Sequence, residues 1–75
     1  MAGKTEQINL YDVKCPLNWA KAKVCLEVLE RGDVLEVLLN DPKGRKDMPR
    51  AAEAEGYAII HIEEIDGGWR IAIEK

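Results

Sequence analysis

Apolar positions recur with two different periods along these 75 residues, and the change of period marks the elements. In QINLYDV (7–13), Ile8 and Leu10 alternate with Asn9 and Tyr11, which predicts a short strand. From Pro16 to Glu30 the period is helical: Leu17, Ala20, Val24, Cys25 and Val28 form one stripe, widened by Ala22, Leu26 and Leu29. Gly32 tolerates the left-handed backbone that follows a last turn, so this helix is expected to stop at Arg31. VLEVLL (34–39) is β-branched and leucine-rich and predicts a buried strand. NDPKGRKDMP then reads as a loop with turn signals at Asp41-Pro42 and Gly44. Asp47 is placed to cap a second helix over 48–55, made strong by Ala51, Ala52 and Ala54 and ended by Gly56. YAIIHIEEI is a long strand, DGG a hairpin turn, and WRIAIEK the returning strand.

The order is therefore β-α-β-α-β-β. Two helices are too few to cover both faces of four strands, so the expected fold is a two-layer α/β (α+β) sandwich. Both helices lie on one face of a mixed sheet, the other face stays more exposed, and the first crossover is right-handed. Residues 1–6 carry no periodic pattern and read as a loose start to a single domain over 7–75.

Composition narrows the function classes. A chain this short buries a modest core, so any chemistry belongs at the surface or against a partner. The net charge of −3 and pI of 5.1 do not announce direct binding of nucleic acid. No apolar run approaches the roughly 20 residues of a membrane span, and MAGKTEQ lacks the apolar centre of a secretory signal, which makes the cytoplasm the expected compartment. Cys15 and Cys25, on one helix, would stand roughly 15 Å apart, against about 7 Å for a disulfide, so both are expected as free thiols. With His61 the lone histidine, the soft ligands are too few for a structural zinc, and no metal or cofactor is expected.

The chemistry points to Cys15. Pro16 suits the first position of a helix, which makes Cys15 the expected N-cap. Its sulfur would sit beside the backbone N–H groups of Leu17 and Asn18 at the positive helix end, where a thiolate is stabilised and reactive. Lys14, Lys21 and Lys23 are expected near that end, and Arg45 and Lys46 of the following loop are expected to approach it. Ser, Thr, Asp and Asn are the usual caps, so a cysteine there wants a reason; the plain alternative is a small residue that happens to precede a helix. Cys25, on the apolar stripe, reads as a packed small hydrophobe. No histidine is placed as a base and no C-x-x-C offers a resolving thiol, which suits carrying a group between proteins better than turning over a free substrate.

These residues resemble a known family. Cys15-Pro16 before a helix, then GDVLEVLLNDP, then KDMP, then a DGG hairpin and a strand ending in Lys75, resemble the TusA/SirA/YedF family of small sulfur carriers over residues 8–75. The ordered set is specific, whereas Cys-Pro alone is weak. The resemblance implies the same β-α-β-α-β-β fold. It also implies that Cys15 accepts a sulfane sulfur as a persulfide, from a cysteine desulfurase, a rhodanese or a thiosulfate-derived donor, and passes it to an acceptor protein in tRNA thiolation or other sulfur metabolism. Three positions depart from the family pattern: Asn18 stands where a second proline is usual, Asp12 where a glycine is, and Asn9 where an aspartate is.

Two other readings stay open. One is a non-catalytic regulatory or interaction module, using the exposed sheet face, an apolar patch of Tyr57, Ile59, His61, Trp69 and Ile71, and Trp19 either as an anchor or as a packed residue. The other is a redox-sensing thiol. Oligomeric state is not specified by the sequence.

Overall fold

A computed structural model describes residues 3–14 and 17–75. The elements are β1 (Thr5–Asn9), α1 (Leu17–Val28), β2 (Val34–Leu39), α2 (Pro42–Ala54), β3 (Ala58–Ile65) and β4 (Gly68–Glu74). They form one sheet in the order β1-β2-β4-β3, with β1 parallel to β2 and the other pairs antiparallel. This is the mixed sheet and β-α-β-α-β-β order that the sequence predicts.

Alternation on β2 decides which face is covered. Leu35, Val37 and Leu39 are buried, and across β4 they meet Ile73, Ile71 and Trp69. Ala22, Leu26 and Leu29 of the α1 segment and Met48 and Ala52 of α2 close the same cluster, so both helices lie on one face. The opposite face carries Gln7, Glu36, Arg70, His61 and Glu63; Gln7 hydrogen-bonds Glu36 and Arg70 pairs with Glu63.

Five expectations are corrected. β1 begins at Thr5, two residues inside the stretch read as loose, because Asp33 holds that stretch: its Oδ1 accepts from the Gly3 and Lys4 amides at 3.0 and 3.1 Å, and the Val34 amide donates to the Lys4 carbonyl. The Glu30 amide is the strongest influence on the buried Asp33 and, with those of Lys4 and Gly3, holds its carboxyl below the ordinary range against desolvation.

α1 ends at Val28, three residues early. The same carboxylate captures the Glu30 amide at 3.0 Å, a donor that would otherwise continue the helix, and Gly32 turns the chain at φ +92°. The ammonium of Lys75 supplies the cation that the last turn of α1 lacks, donating to the carbonyls of Glu27 and Leu29 at 3.0 and 2.7 Å.

The α1 stripe is also displaced. Leu17, Val24 and Val28 are 57, 62 and 79% exposed and Ala20 is exposed, while Asn18, Ala22, Leu26 and Leu29 point inward. Both stripes are apolar, so period alone does not choose between them; the large side chain of Leu26 fills the core.

α2 begins at Pro42, not at Met48, and Asp47 lies inside it. Asp41 is the N-cap, accepting from the Lys43 amide at 3.3 Å, and Pro42 loses no bond in the first turn. Asp41-Pro42 and Gly44, which read as turn signals, had disguised the start of the helix as a loop. Finally, the proposed patch on β3 and β4 divides. A bulge between Ile59 and His61 leaves Ile60 outside while Ile59, Ile62, Tyr57 and Trp69 pack on the core, Ile71 is fully buried and His61 is exposed. Trp19 is a packed residue.

Candidate functional site

Cys15 and Pro16, with the expected cap geometry, lie outside the described residues; the chain on both sides of them is described. The approach is pinned by side chains that the sequence reading had treated as departures. Asn9 Oδ1 accepts from the Tyr11 amide at 2.9 Å, a bond for which an amide oxygen serves as well as a carboxylate. Asp12 has φ +68°, the region where glycine costs least, and Asn40 repays the strain: its Oδ1 accepts from the Asp12 amide at 2.8 Å and its Nδ2 donates to Asp12 Oδ1 at 3.3 Å. Tyr11 Oη donates to the Asp66 carbonyl at 3.3 Å, tying this approach to the hairpin between β3 and β4.

On the helix side the Asn18 amide donates to the Lys14 carbonyl at 3.0 Å. That corrects one expectation: the amide is engaged in an i to i−4 bond and is not a free donor for a sulfur anion. Leu17 is exposed, and the first turn of α1 holds no acidic residue to oppose an anion at its positive end.

The Asn18 side chain is the anomaly. It is 0% exposed, and neither Oδ1 nor Nδ2 hydrogen-bonds a described residue. Nδ2 lies against α2 at Gly44, where an added Cβ would come within 2.3 Å of it. Only glycine lets the first turn of α2 approach so closely. A buried amide without partners costs about 1–3 kcal/mol, so the contact is maintained against a penalty.

The cations expected around Cys15 divide. Lys14 and Lys21 are exposed close by in the chain. Lys23 instead reaches Glu55 beyond the end of α2, 3.4 Å away, because it points across the helix pair. Arg45 and Lys46 are exposed on α2 rather than in a loop, and the Asn18–Gly44 contact sets their helix beside the start of α1.

Between β1 and α1 runs an apolar groove of about 550 Å³, walled by Ile8, Leu10, Val13, Leu17, Val24 and Cys25. Val13 and Leu17, which flank residues 14–16 in sequence, are among its walls. Cys25 is half-buried and packs on the core, as its place in the sequence suggests. Among the described residues no group of three or more His, Cys, Asp or Glu side chains is placed to hold a metal ion, and no helix is long and apolar enough to cross a membrane.

The sequence reading missed the Asn40–Asp12 fork and the Asn18–Gly44 interlock. Each joins residues 26 or more positions apart, and the one local signal was a glycine inside what proved to be a helix.

Comparisons with known proteins converge. Residues 6–75 match the family described as Sulfurtransferase TusA. The sulfur carrier protein TusA of Allochromatium vinosum is 29% identical over 75 residues, covering 100% of this chain and 99% of that one. A Methanocaldococcus jannaschii protein with a provisional sulfur-carrier name is 36% identical over 61 residues, covering 81% of each. The crystal structure of the SirA-like protein from Desulfitobacterium hafniense superposes with a TM-score of 0.77 at 27% identity, covering 92% of this chain and 95% of that one.

Proposed function

This chain belongs to the TusA sulfurtransferase family, and from that membership we propose that Cys15 carries sulfur as a persulfide between a donor and an acceptor protein. The Cys15 thiolate attacks the outer sulfur of a donor persulfide; the donor's S–S bond breaks, its thiolate leaves, and Cys15 becomes Cys–S–S⁻. An acceptor thiolate then attacks that outer sulfur, and the Cys15 thiolate is released. Sulfur moves at constant oxidation level, so no outside oxidant or reductant enters. A thiosulfate-type donor releases sulfite in the first step in the same way.

The observation that carries this reading is the family match over residues 6–75, in a chain whose Cys15-Pro16 pair immediately precedes α1 in sequence. The approach is fixed by Asn9 and Asn40, the Lys14 carbonyl opens the helical bonding, and no acidic residue stands in the first turn. Exchange rates follow the thiolate fraction and the access of the attacking sulfur, and the positive end of α1 favours the anion. Thiolation of tRNA is one destination we infer for the sulfur, in a reducing compartment such as the cytoplasm.

Mass spectrometry after incubation with a cysteine desulfurase and cysteine, or with thiosulfate, tests the assignment. One added sulfur on Cys15, lost in Cys15→Ser and kept in Cys25→Ser, is the expected result. The apolar groove favours a second reading, an interaction module without sulfur chemistry; unchanged mass with partner binding retained by Cys15→Ser would decide for it.

A further inference from the structure

We propose that the solvent face of α2 is the surface on which an acidic protein docks, a reading that rests on the sulfur-carrier role and names the kind of partner it requires. Residues 41–50 hold four cations and two carboxylates, a net +2 in a chain of −3, which leaves −5 on the rest. Lys43, Arg45, Lys46 and Arg50 are all exposed, and none forms an ion pair with a described residue. Lys43, Lys46 and Arg50, at i, i+3 and i+7, share one stripe, and Arg45 flanks it. Of the two carboxylates, Asp41 caps the helix and Asp47 is half-buried within it.

The placement of these charges opposes the helix's own stability. The start of a helix is its positive end and favours acids, and its last turn favours bases. Past its Asp41 cap, α2 has no acid in its first turn and no base in its last; Lys43, Arg45 and Lys46 crowd the start, Arg50 lies in the second half, and Glu53 and Glu55 stand at the finish. Lys23 compensates Glu55 from α1, while the start of α2 sets the Asp41 cap against three exposed cations, Lys43, Arg45 and Lys46. The chain thus maintains a positive pole at a cost to α2, and an anion from outside recovers that cost.

Location connects the pole to the chemistry. Gly44 lies against Asn18, so whatever covers α2 also meets the first turn of α1. The extent of the patch favours a protein over a nucleic acid. From Lys43 to Arg50 it is about 10 Å long. Exposed Asp12 and Asp66 stand at the same end of the sheet, joined to it through Asn40 and Tyr11, and would repel a continuing phosphate backbone.

Titration of the isotope-labelled full chain with octaglutamate, and separately with an oligothymidylate octamer, tests the surface by amide chemical shift. Octaglutamate is expected to perturb residues 43–50 and the first turn of α1. Its affinity should fall roughly tenfold or more from low to physiological salt, and again in the triple variant Lys43→Glu, Lys46→Glu, Arg50→Glu. Of its new acids, those at 43 and 46 suit the helix start, and circular dichroism at the titration temperature checks that the variant is folded. Shifts elsewhere, or equal binding by the triple variant, would overturn the proposal, as would tighter binding of the oligothymidylate at the same salt. Cys15→Ser should bind octaglutamate unchanged. If Cys15 gains no sulfur while octaglutamate still binds at α2, the carrier chemistry fails and the docking surface stands.

Discussion

α1 and α2 both follow a residue-proline pair in the sequence, Cys15-Pro16 and Asp41-Pro42, yet they use their faces in opposite ways. α2 is amphipathic in the ordinary sense: Asp41 caps it, Met48 and Ala52 face the core, and its charges face solvent. α1 buries an asparagine whose side chain hydrogen-bonds no described residue, and shows Leu17, Val24 and Val28 to water. The difference teaches that the two helices are not equivalent covers for one sheet. α2 contributes a well-capped scaffold, while α1 leaves apolar surface along the groove it forms with β1.

The sharpest way to break that contrast is to test which stripe of α1 is the core. Leu26→Ala should lower stability by about 2–5 kcal/mol in denaturant unfolding, as for other deep leucines. Next comes the meeting point of the helices. In an ordinary helix Gly→Ala stabilises by up to about 1 kcal/mol, but Gly44→Ala should destabilise by about 1–3 kcal/mol because the new methyl meets Asn18. Asn18→Ala in the same background should recover most of that loss, and additive effects would show that the two residues are not coupled. Asp41→Ala, which removes the α2 cap, should cost about 1 kcal/mol by the same measurement. Val24→Ser, on the outward stripe, should move stability by less than about 0.5 kcal/mol. A larger loss would mean that the stripe is covered.

Much of the fold was legible because strands here obey simple alternation. The 34–39 strand has the predicted bounds, and the DGG hairpin lies where Gly67 turns with φ +83°. What failed was two-valued in sequence. α1 offers apolar residues on both sides, and only the packing of Leu26 against the sheet selects the buried one. The start of α2 hid behind the turn signals Asp41-Pro42 and Gly44, which in the structure cap and open the helix and let it approach Asn18. At the candidate site Cys15 was marked by its proline, whereas the residues that steady its surroundings, Asn40 and Gly44, come from another part of the chain and carry no local mark. The left-handed Asp12 explains why glycine is usual there, which the sequence presented only as a departure.

Lys75 reaches back 46 and 48 positions to the last carbonyls of α1. Those carbonyls acquire their lysine only once β4 has joined the sheet, so closing the far end of α1 waits on contacts 46 and 48 positions apart. A chain emerging from the ribosome therefore makes the start of α1 well before the lysine that closes its far end.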